Sequence, residues 1–405
     1  MTVDTGVPSG RERAERETGL RVRGRGRGLR VRGRGVRGRP LLYTSYAADQ
    51  AIWNTPAKRG WTLALVGAVL VLPFFLSRDL TSLVTTVFIF AIGGIGLNLV
   101  TGYAGQVSLG HAFFMGLGAY TAAVFGGAGS DQVIGWGLDM AIWLPMAGVV
   151  PALVGLVVAP LAVRVRGLYL AVLTLGLVFI GEHVFKEARS ITGGAGVGRA
   201  PAEPVLFGMD LRERYHLFGY ILSREAVYYF VCFAIFVVLA IAARNLTRSK
   251  PGRAFAAVRD RDVAASMMGI SLRRTKTLAF TVSSFYAGVS GALLVMVIGR
   301  VTPTNWNLFL SIDLLAVILI GGIATISGSI LGAAFVVLMP RIVSELADVV
   351  PFISTSPSGG FLSVFQLQTM LFGALIVLFL VLEPRGLYGL WVRVRNYWKA
   401  WPFSY

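Results

Sequence analysis

Four polar side chains stand close together in the longest stretch of the sequence without a charged residue, 80–130. They are Asn98, Gln106, Ser108 and His111, and many glycines surround them. Amides, hydroxyls and a neutral imidazole donate and accept hydrogen bonds, so they could hold neighbouring helices together or line a path for a polar solute. Both interpretations stay open, because polar groups in an apolar segment need either partners or a cavity.

A second polar and glycine-rich segment, IGGIATISGS, interrupts the apolar residues 313–339. Its glycines and hydroxyls resemble the first group in character, so we predict that both segments border the same path. The predicted translocation-path residues are Asn98, Gln106, Ser108, His111, Gly321, Gly322 and Ser327.

Catalytic and cofactor motifs are not found in the sequence. There is no GxxxxGK[ST] phosphate loop and no nucleophile elbow, and His111, His183 and His216 are scattered. The single cysteine, Cys232, lies in an apolar run without a partner at metal-ligand spacing. We therefore expect no catalytic residue, no metal and no cofactor, and we expect the chain not to be an enzyme.

Composition indicates a membrane protein. Hydrophobic residues make up 55% of the chain and charged residues 14%, and the mean hydropathy is +0.69. The charges cluster and leave long uncharged runs, and a helix needs about 20 residues to cross a bilayer. The sequence therefore predicts an all-α, polytopic bundle with about 8 to 10 transmembrane segments.

Eight crossings satisfy every loop of this prediction. They are expected near residues 61–76, 80–100, 107–126, 140–163, 168–181, 226–243, 278–298 and 367–382. Residues 313–339 are predicted to form a re-entrant hairpin, because each apolar half is too short to span about 30 Å of hydrocarbon. If both halves cross instead, the count becomes ten with the same orientation.

Orientation follows from the basic residues, which are retained in the cytoplasm when they lie in short loops. Residues 244–276 carry nine Lys and Arg against Asp260 and Asp262, and the C-terminal end is also basic. Both regions are expected in the cytoplasm, which places both termini there and the loop 182–225 outside. The predicted location is a bacterial plasma (inner) membrane.

The N-terminal residues 1–60 differ in kind from the rest. Up to residue 59 there are fourteen basic and five acidic residues, a net charge of +9 out of +18 for the chain. The Arg/Gly alternation at 20–39 has almost nothing to bury, so we predict a disordered cytoplasmic tail or a misassigned start. Contact with anionic lipid or with nucleic acid phosphates are the alternatives. Residues 61–390 are predicted to be the membrane domain and 391–405 a short cytoplasmic tail.

The cytoplasmic segment 244–276 predicts a docking surface. Small residues alternate with charges there, a pattern typical of a short amphipathic helix followed by a turn at a glycine. The alternative is an ordinary charged loop. The residues that we assign to docking are Gly252, Arg253, Ala257, Arg259, Asp260, Ala264, Ala265 and Gly269.

Several stretches resemble one known family. Residues 96–123 read GLNLVTGYAGQVSLGHAFFMGLGAYTAA, and similar agreement extends to RVRGLYLAVLTLGLVFI, GRAFAAVRDRDVAASMMGI, LLAVILIGGIATISGSILGAAF and EPRGLYGL. They resemble the branched-chain amino acid permeases of ATP-binding-cassette (ABC) importers, from about residue 61 to about 390. The order of the motifs favours the LivM-like type of subunit.

This resemblance implies a transport subunit with several partners. They are a second homologous permease, two cytoplasmic ATPases and an extracytoplasmic solute-binding protein. It also implies that the segment around 253–269 is the coupling helix that docks on an ATPase. The implied substrates are leucine, isoleucine and valine, with other amino acids, urea or short amides as alternatives.

Two other classes of function were weighed. An ion-coupled secondary transporter needs buried acidic or basic groups, and the apolar runs are expected to contain none, which argues against this class. A nucleic-acid-associated membrane protein would use the Arg/Gly tail. It is disfavoured because no aromatic side chains alternate with those arginines.

Overall fold

The computed structural model describes most of the membrane domain as a bundle of helices. The described residues are 56–165, 167–194, 196, 198–213, 215–217, 220–349, 353–354, 362–363, 370–371, 373–374, 377–378, 381 and 386–400. Residues 1–55 of the predicted N-terminal tail and most of the predicted crossing 367–382 lie outside them, whereas residues 56–60 of that tail are helical. Within the described part, seven helices are long and apolar enough to cross a membrane, so the predicted all-α polytopic class is confirmed.

Thirteen helices are described. They are α1 (Pro56–Val71), α2 (Arg78–Asn98), α3 (His111–Gly126), α4 (Met140–Arg164), α5 (Leu168–Glu187), α6 (Arg189–Thr192), α7 (Arg224–Arg248), α8 (Lys250–Asp260), α9 (Asp262–Met267), α10 (Leu272–Ile298), α11 (Leu308–Gly321), α12 (Ile326–Val349) and α13 (Gly386–Ala400).

Short strands join some of the helices. In the segment between α6 and α7, β1 (Val205–Leu206) pairs antiparallel with β2 (Met209–Asp210), and β3 (Tyr215–Leu217) pairs antiparallel with β4 (Tyr220–Leu222). After α12, β5 (Ile353–Ser354) pairs in parallel with β6 (Leu362–Ser363).

Helix starts are fixed by side chains that accept a main-chain N–H of the first turn. Such a cap satisfies one of the N–H groups that the helix leaves without a partner. The capping residues are Ser77, Asp139, Ser223, Ser271 and Asn307.

Helix α10 lies at the centre and packs against α2, α3 and α4. Glycines make this close packing possible. A Cβ atom at Gly118 of α3 would lie 2.2 Å from the carbonyl oxygen of Gly288 in α10, and one at Gly288 would lie 2.1 Å from the carbonyl oxygen of Ala147 in α4. The sequence predicts helix packing at Gly118, and the structure shows the backbone contact that requires it.

The two ends of the bundle can be told apart by their contacts. Helices α8 and α9 pack beside the ends of α2 and α7 and the start of α10. At the opposite end, Arg199 pairs through its backbone with Val301, which follows α10. Arg199 is buried, and its guanidinium donates to the carbonyl oxygens of Ala123 and Ile191. It thereby ties the segment after α6 to the C-terminal end of α3, a position where helix dipoles favour positive charge.

The hairpin at 313–339 differs from the predicted re-entrant form. Helix α12 has 24 residues, about 36 Å at the usual rise, and Pro303–Gly321 forms a second candidate span of 19 residues. Residue 303 follows the strand-like contact at the end opposite α8 and α9, whereas the tip at Ala324 borders Arg244 and Arg248 at the end of α7. Helix α12 is therefore longer than the predicted half, whereas α11 alone has 14 residues, about 21 Å. The positions of its two ends favour the alternative of two full crossings, which stays a prediction.

Other predicted boundaries shift by several residues. Helix α3 starts at His111, not at 107, because residues 104–110 are not helical. Helix α5 continues to Glu187, so the loop predicted to begin at Glu182 begins later. Residues 391–400 of the predicted C-terminal tail belong to helix α13.

Candidate functional site

Asn98 fastens the end of α2 to the tip of the α11–α12 hairpin. Its side chain is buried, and Nδ2 donates to Ser329 Oγ at 2.8 Å and to the Thr325 carbonyl oxygen at 3.0 Å. Its Oδ1 accepts from the Ala324 N–H at 2.8 Å. The interpretation as structural hydrogen bonding between helices therefore accounts for both ends of this amide, and a role in the path stays a prediction.

The chain leaves α2 through a wider turn. Leu99–Tyr103 forms a π-helical turn, and Gly105 has a φ of 69°, which favours glycine. Gln106 follows and is buried, but neither Oε1 nor Nε2 of its side chain has a hydrogen-bond partner among the described residues. Buried amides normally have hydrogen-bond partners. Gln106 is therefore the predicted path residue with the most unsatisfied side-chain polar atoms in the described structure.

Ser108 and His111 are buried where α3 begins. Ser108 Oγ accepts from the Gly110 N–H at 3.3 Å, a local turn contact. The His111 ring lies against the glycines of α2, where a Cβ atom at Gly96 would be 3.5 Å from His111 Cε1. His111 Nε2 has no hydrogen-bond partner among the described residues. Only a rearrangement of these helices would expose either side chain to a solute.

Gly321 and Gly322 allow the hairpin to close. A Cβ atom at Gly321 would lie 2.1 Å from the Gly328 carbonyl oxygen, and Gly322 has a φ of 130°. Ser327 is exposed and lines a cavity of about 650 Å³ that Arg244 and Arg248 also border. The structure thus brings Asn98, Gly321 and Gly322 together at the tip, with Ser327 on its exposed side.

The remaining predicted path residues do not join this cluster. Gln106 lies towards α8, and His111 lies against the C-terminal part of α2 at Gly96. All seven residues therefore border the α2–α3 connection or the hairpin, but they form no single pocket among the described residues.

The predicted docking segment folds as two short helices. Phe255 and Val258 of α8 are buried, as are Gly252 and Ala265, whereas Arg253, Asp260 and Ala264 are exposed and Ala257 is half-buried. A Cβ atom at Gly252 would lie 2.2 Å from the Thr247 carbonyl oxygen, so α8 turns tightly away from α7. Gly269 has a φ of 82° and forms the predicted turn before α10.

Arg259 connects this segment to the membrane bundle. Its Nη1 donates to the Gly102 carbonyl oxygen at 3.0 Å, and its Nε contacts Asp260 at 3.2 Å. A cavity of about 620 Å³ lies beside this contact and is bordered by Gln106, Gly167 and Lys276. A displacement of α8 would therefore be transmitted directly to the end of α2.

The outer surface of α9 is apolar. Val263 is 64% exposed, Met267 84% and Met268 85%. Flexible methionine side chains suit a surface that packs against a partner. Burial of the valine and the two methionines in an interface would stabilise a complex.

Asp313 is a residue that the sequence interpretation missed. It lies in the middle of the candidate span Pro303–Gly321 and at the first position of the apolar stretch 313–339. The statement that the apolar runs contain no acidic group is therefore wrong. The signal was available, because Asp313 is the single charge between Trp306 and Ile323.

No group of His, Cys, Asp and Glu side chains that could hold a metal ion occurs among the described residues. Cys232 is buried and unpaired.

Comparisons with known proteins agree with this architecture. The family model described as branched-chain amino acid transport system / permease component matches residues 80–380. The high-affinity branched-chain amino acid transport system permease protein LivM of Escherichia coli (strain K12) is 29% identical over 347 residues, which cover 82% of this chain and 76% of LivM.

Two further relatives extend the comparison. The LivH permease protein of the same system in Escherichia coli (strain K12) is 26% identical over 317 residues, covering 74% of this chain and 91% of LivH. The autoinducer 2 import system permease protein LsrC of Enterobacter sp. (strain 638) is 34% identical over 108 residues, covering 25% of this chain and 31% of LsrC. No solved structure matches the chain significantly.

Proposed function

We propose, on the premise that this chain belongs to the family of branched-chain amino acid transport system permease components, that it is a LivM-like membrane subunit of an ABC importer. The chain is a multi-pass membrane protein with the hydrophobic spans of a permease. It forms the uptake path together with a homologous permease. ATP hydrolysis takes place on separate subunits, so this chain is not itself an enzyme.

The contact of α8 with the end of α2 carries the proposal. Arg259 donates to the Gly102 carbonyl oxygen, while Met267 at the end of the adjacent α9 and Met268 directly after it are exposed. One side of the segment thus contacts the bundle, and the other presents an apolar surface. This is the arrangement that a coupling helix needs to receive force from an ATPase and pass it to the path.

The complete importer contains four kinds of subunit. They are this chain, a second homologous permease, two cytoplasmic ATPases and a solute-binding protein that delivers substrate from outside. Both termini of this chain lie in the cytoplasm, and the segment between α6 and α7 faces the binding protein. The basic residues around α8 and α9 support this orientation.

Transport proceeds by alternating access. Closure of the ATPases pushes on the coupling segment and rocks α2, with the hairpin that Asn98 holds, around a cavity at the interface of the two permeases. Such a rigid-body change needs only contacts that differ between the two states. The α2–α3 connection would change its conformation in this movement, and it carries Gln106, Ser108 and His111.

The substrate is a branched-chain amino acid. The names of the LivM and LivH relatives support this choice. Other amino acids, urea and short amides remain alternative substrates within the same family, and the LsrC relative is described as importing autoinducer 2. The cognate binding protein decides among them.

Reconstitution of the complete complex in proteoliposomes tests the function. We expect ATP-dependent uptake of leucine, isoleucine and valine that requires the binding protein. Gly252→Leu or Gly269→Leu should reduce uptake while membrane insertion stays intact, because the first clashes with backbone and the second is strained by its positive φ. Normal uptake and ATPase coupling in both variants would contradict the docking role.

An ion-coupled secondary transporter is the second candidate function, and Asp313 favours it because a carboxylate in the middle of a span can bind a proton or a cation. It predicts uptake by this permease without any ATPase, driven by a proton or sodium gradient. Uptake that requires ATP and does not depend on a proton or sodium gradient excludes a secondary transporter.

A further inference from the structure

Asp313 occupies the depth at which a carboxylate is most costly in a membrane. It lies near the centre of the 19-residue span Pro303–Gly321. The other carboxylates in the described spans, such as Asp79, Glu182 and Glu345, lie towards the ends of their helices. An acidic side chain at mid-depth is rare and usually faces water or a charged partner, which makes Asp313 a candidate for function.

The side chain has no partner within the described part of this chain. Asp313 is only partly buried, and it makes no hydrogen bond or ion pair with a described residue. A structural carboxylate at this depth would be expected to have its partner beside it, because burying an unpaired charge is unfavourable.

Helix geometry directs Asp313 away from the core. Ser311 points towards α3, where its Oγ accepts from the Ala112 N–H at 3.0 Å. Asp313 follows two residues later, about 200° around the helix, so its side chain points away from α3 and lies half-buried at the edge of the outer face. Phe309, 72% exposed, and Ile312, 38% exposed, lie on that outer face next to it.

The outer face of α11 therefore combines one carboxylate with exposed apolar side chains. Lipid cannot solvate a charged carboxylate, so a charged Asp313 requires water or a polar partner on this face. A branched-chain amino acid has a matching structure, with a cationic ammonium group next to an aliphatic side chain. The ammonium would form a charge-assisted hydrogen bond with the carboxylate, and the aliphatic group would contact Phe309 and Ile312.

We propose that Asp313 binds the ammonium group of the transported amino acid inside the path, an assignment that rests on the import function proposed above. The face of α11 that carries Asp313, Phe309 and Ile312 then lines the cavity between the two permeases. Asp313 favours amino acids over neutral amides, since neutral amides have no cation to pair with it.

Uptake by the reconstituted complex tests this role. We expect Asp313→Asn to lower leucine uptake about tenfold or more, because one charge-assisted hydrogen bond is lost, while binding-protein-stimulated ATP hydrolysis and assembly with the sister permease stay unchanged. Asp313→Glu keeps the charge and should restore part of the uptake. The matched control Asp79→Asn removes an exposed carboxylate at the start of α2 and should leave uptake unchanged.

Accessibility of the position provides a second measurement that does not depend on transport by the variant. Asp313→Cys is combined with Cys232→Ala, which removes the native cysteine. The probe is the water-soluble cationic reagent 2-(trimethylammonium)ethyl methanethiosulfonate. We expect it to modify the new cysteine, and we expect leucine delivered by the binding protein to slow the modification.

Each other result would overturn the assignment. Unchanged uptake by Asp313→Asn would show that the carboxylate does not bind substrate. Loss of the sister permease from that variant would instead make Asp313 a structural partner across the interface. A new cysteine that the reagent cannot reach would place the face against lipid or protein. Absence of leucine uptake by the wild-type complex would refute the import function itself. This result differs from the others, which concern only the Asp313 variants.

Discussion

Arg259 Nη1 donates a hydrogen bond to the carbonyl oxygen of Gly102 at 3.0 Å, across 157 positions of sequence. The acceptor belongs to the π-helical turn that ends α2, and the donor belongs to α8. In the described structure, this contact joins the coupling segment to the polar residues that follow α2. In the proposed importer, this contact would transmit a movement of the docked ATPase to the end of α2.

Loss of this contact should uncouple ATP hydrolysis from transport. We expect Arg259→Ala to lower leucine uptake per ATP hydrolysed at least about threefold, since the side chain is partly exposed and a single charged hydrogen bond is lost. Arg273→Ala removes an exposed arginine at the start of α10 and is the control. Equal uptake-to-ATP ratios in the two variants would mean that Arg259 transmits no force.

Removal of the Asn98 side chain should loosen the hairpin. Asn98→Ala leaves the Ala324 N–H and the Ser329 hydroxyl without this partner, so we expect a loss of about 2–4 kcal/mol in unfolding free energy. Asn307→Ala removes a helix cap and an exposed hydrogen bond to the Thr304 carbonyl oxygen, and should cost about 1 kcal/mol. Thermal unfolding of the purified complex measures the loss of stability in both variants. Equal losses would contradict the role of Asn98 in holding the hairpin against α2.

Packing of α3 on α10 should depend on the absence of a side chain at Gly118. Gly118→Ala places a methyl group against the Gly288 carbonyl, so we expect a destabilisation of about 1–3 kcal/mol in thermal unfolding. Gly176→Ala in α5 meets nothing within 4 Å and should be neutral or slightly stabilising. If both substitutions are harmless, the helices have room to move apart.

Charge on the apolar surface of α9 should weaken ATPase docking. We expect the double substitution Met267→Glu and Met268→Glu to reduce copurification of the ATPase, because two buried apolar contacts would become carboxylates. Met209→Glu changes a 52% exposed methionine in β2, away from α9, and is the matched control. Undiminished copurification of the ATPase with the double variant would rule out this surface.

The sequence by itself determined the membrane class, the position of most helices and a helix followed by a turn in the docking segment, which the structure divides into the two helices α8 and α9. Each of these features depends on residues that are close together in the sequence. A long uncharged run favours a membrane span, and the alternation of small and charged residues before Gly269 favours a short amphipathic helix with a turn. The similarity of the motifs also identified the family, which the comparisons confirm.

Only the tertiary structure decided which distant groups meet. The partners of Asn98 lie more than 220 positions away, and the acceptor of Arg259 is a backbone oxygen that no side-chain pattern can reveal. The sequence did not show how far the two hairpin helices extend, because the length of a helix depends on what covers its polar turns. Asp313 was overlooked because hydropathy averages over both sides of a helix, and only packing shows which side a charge faces.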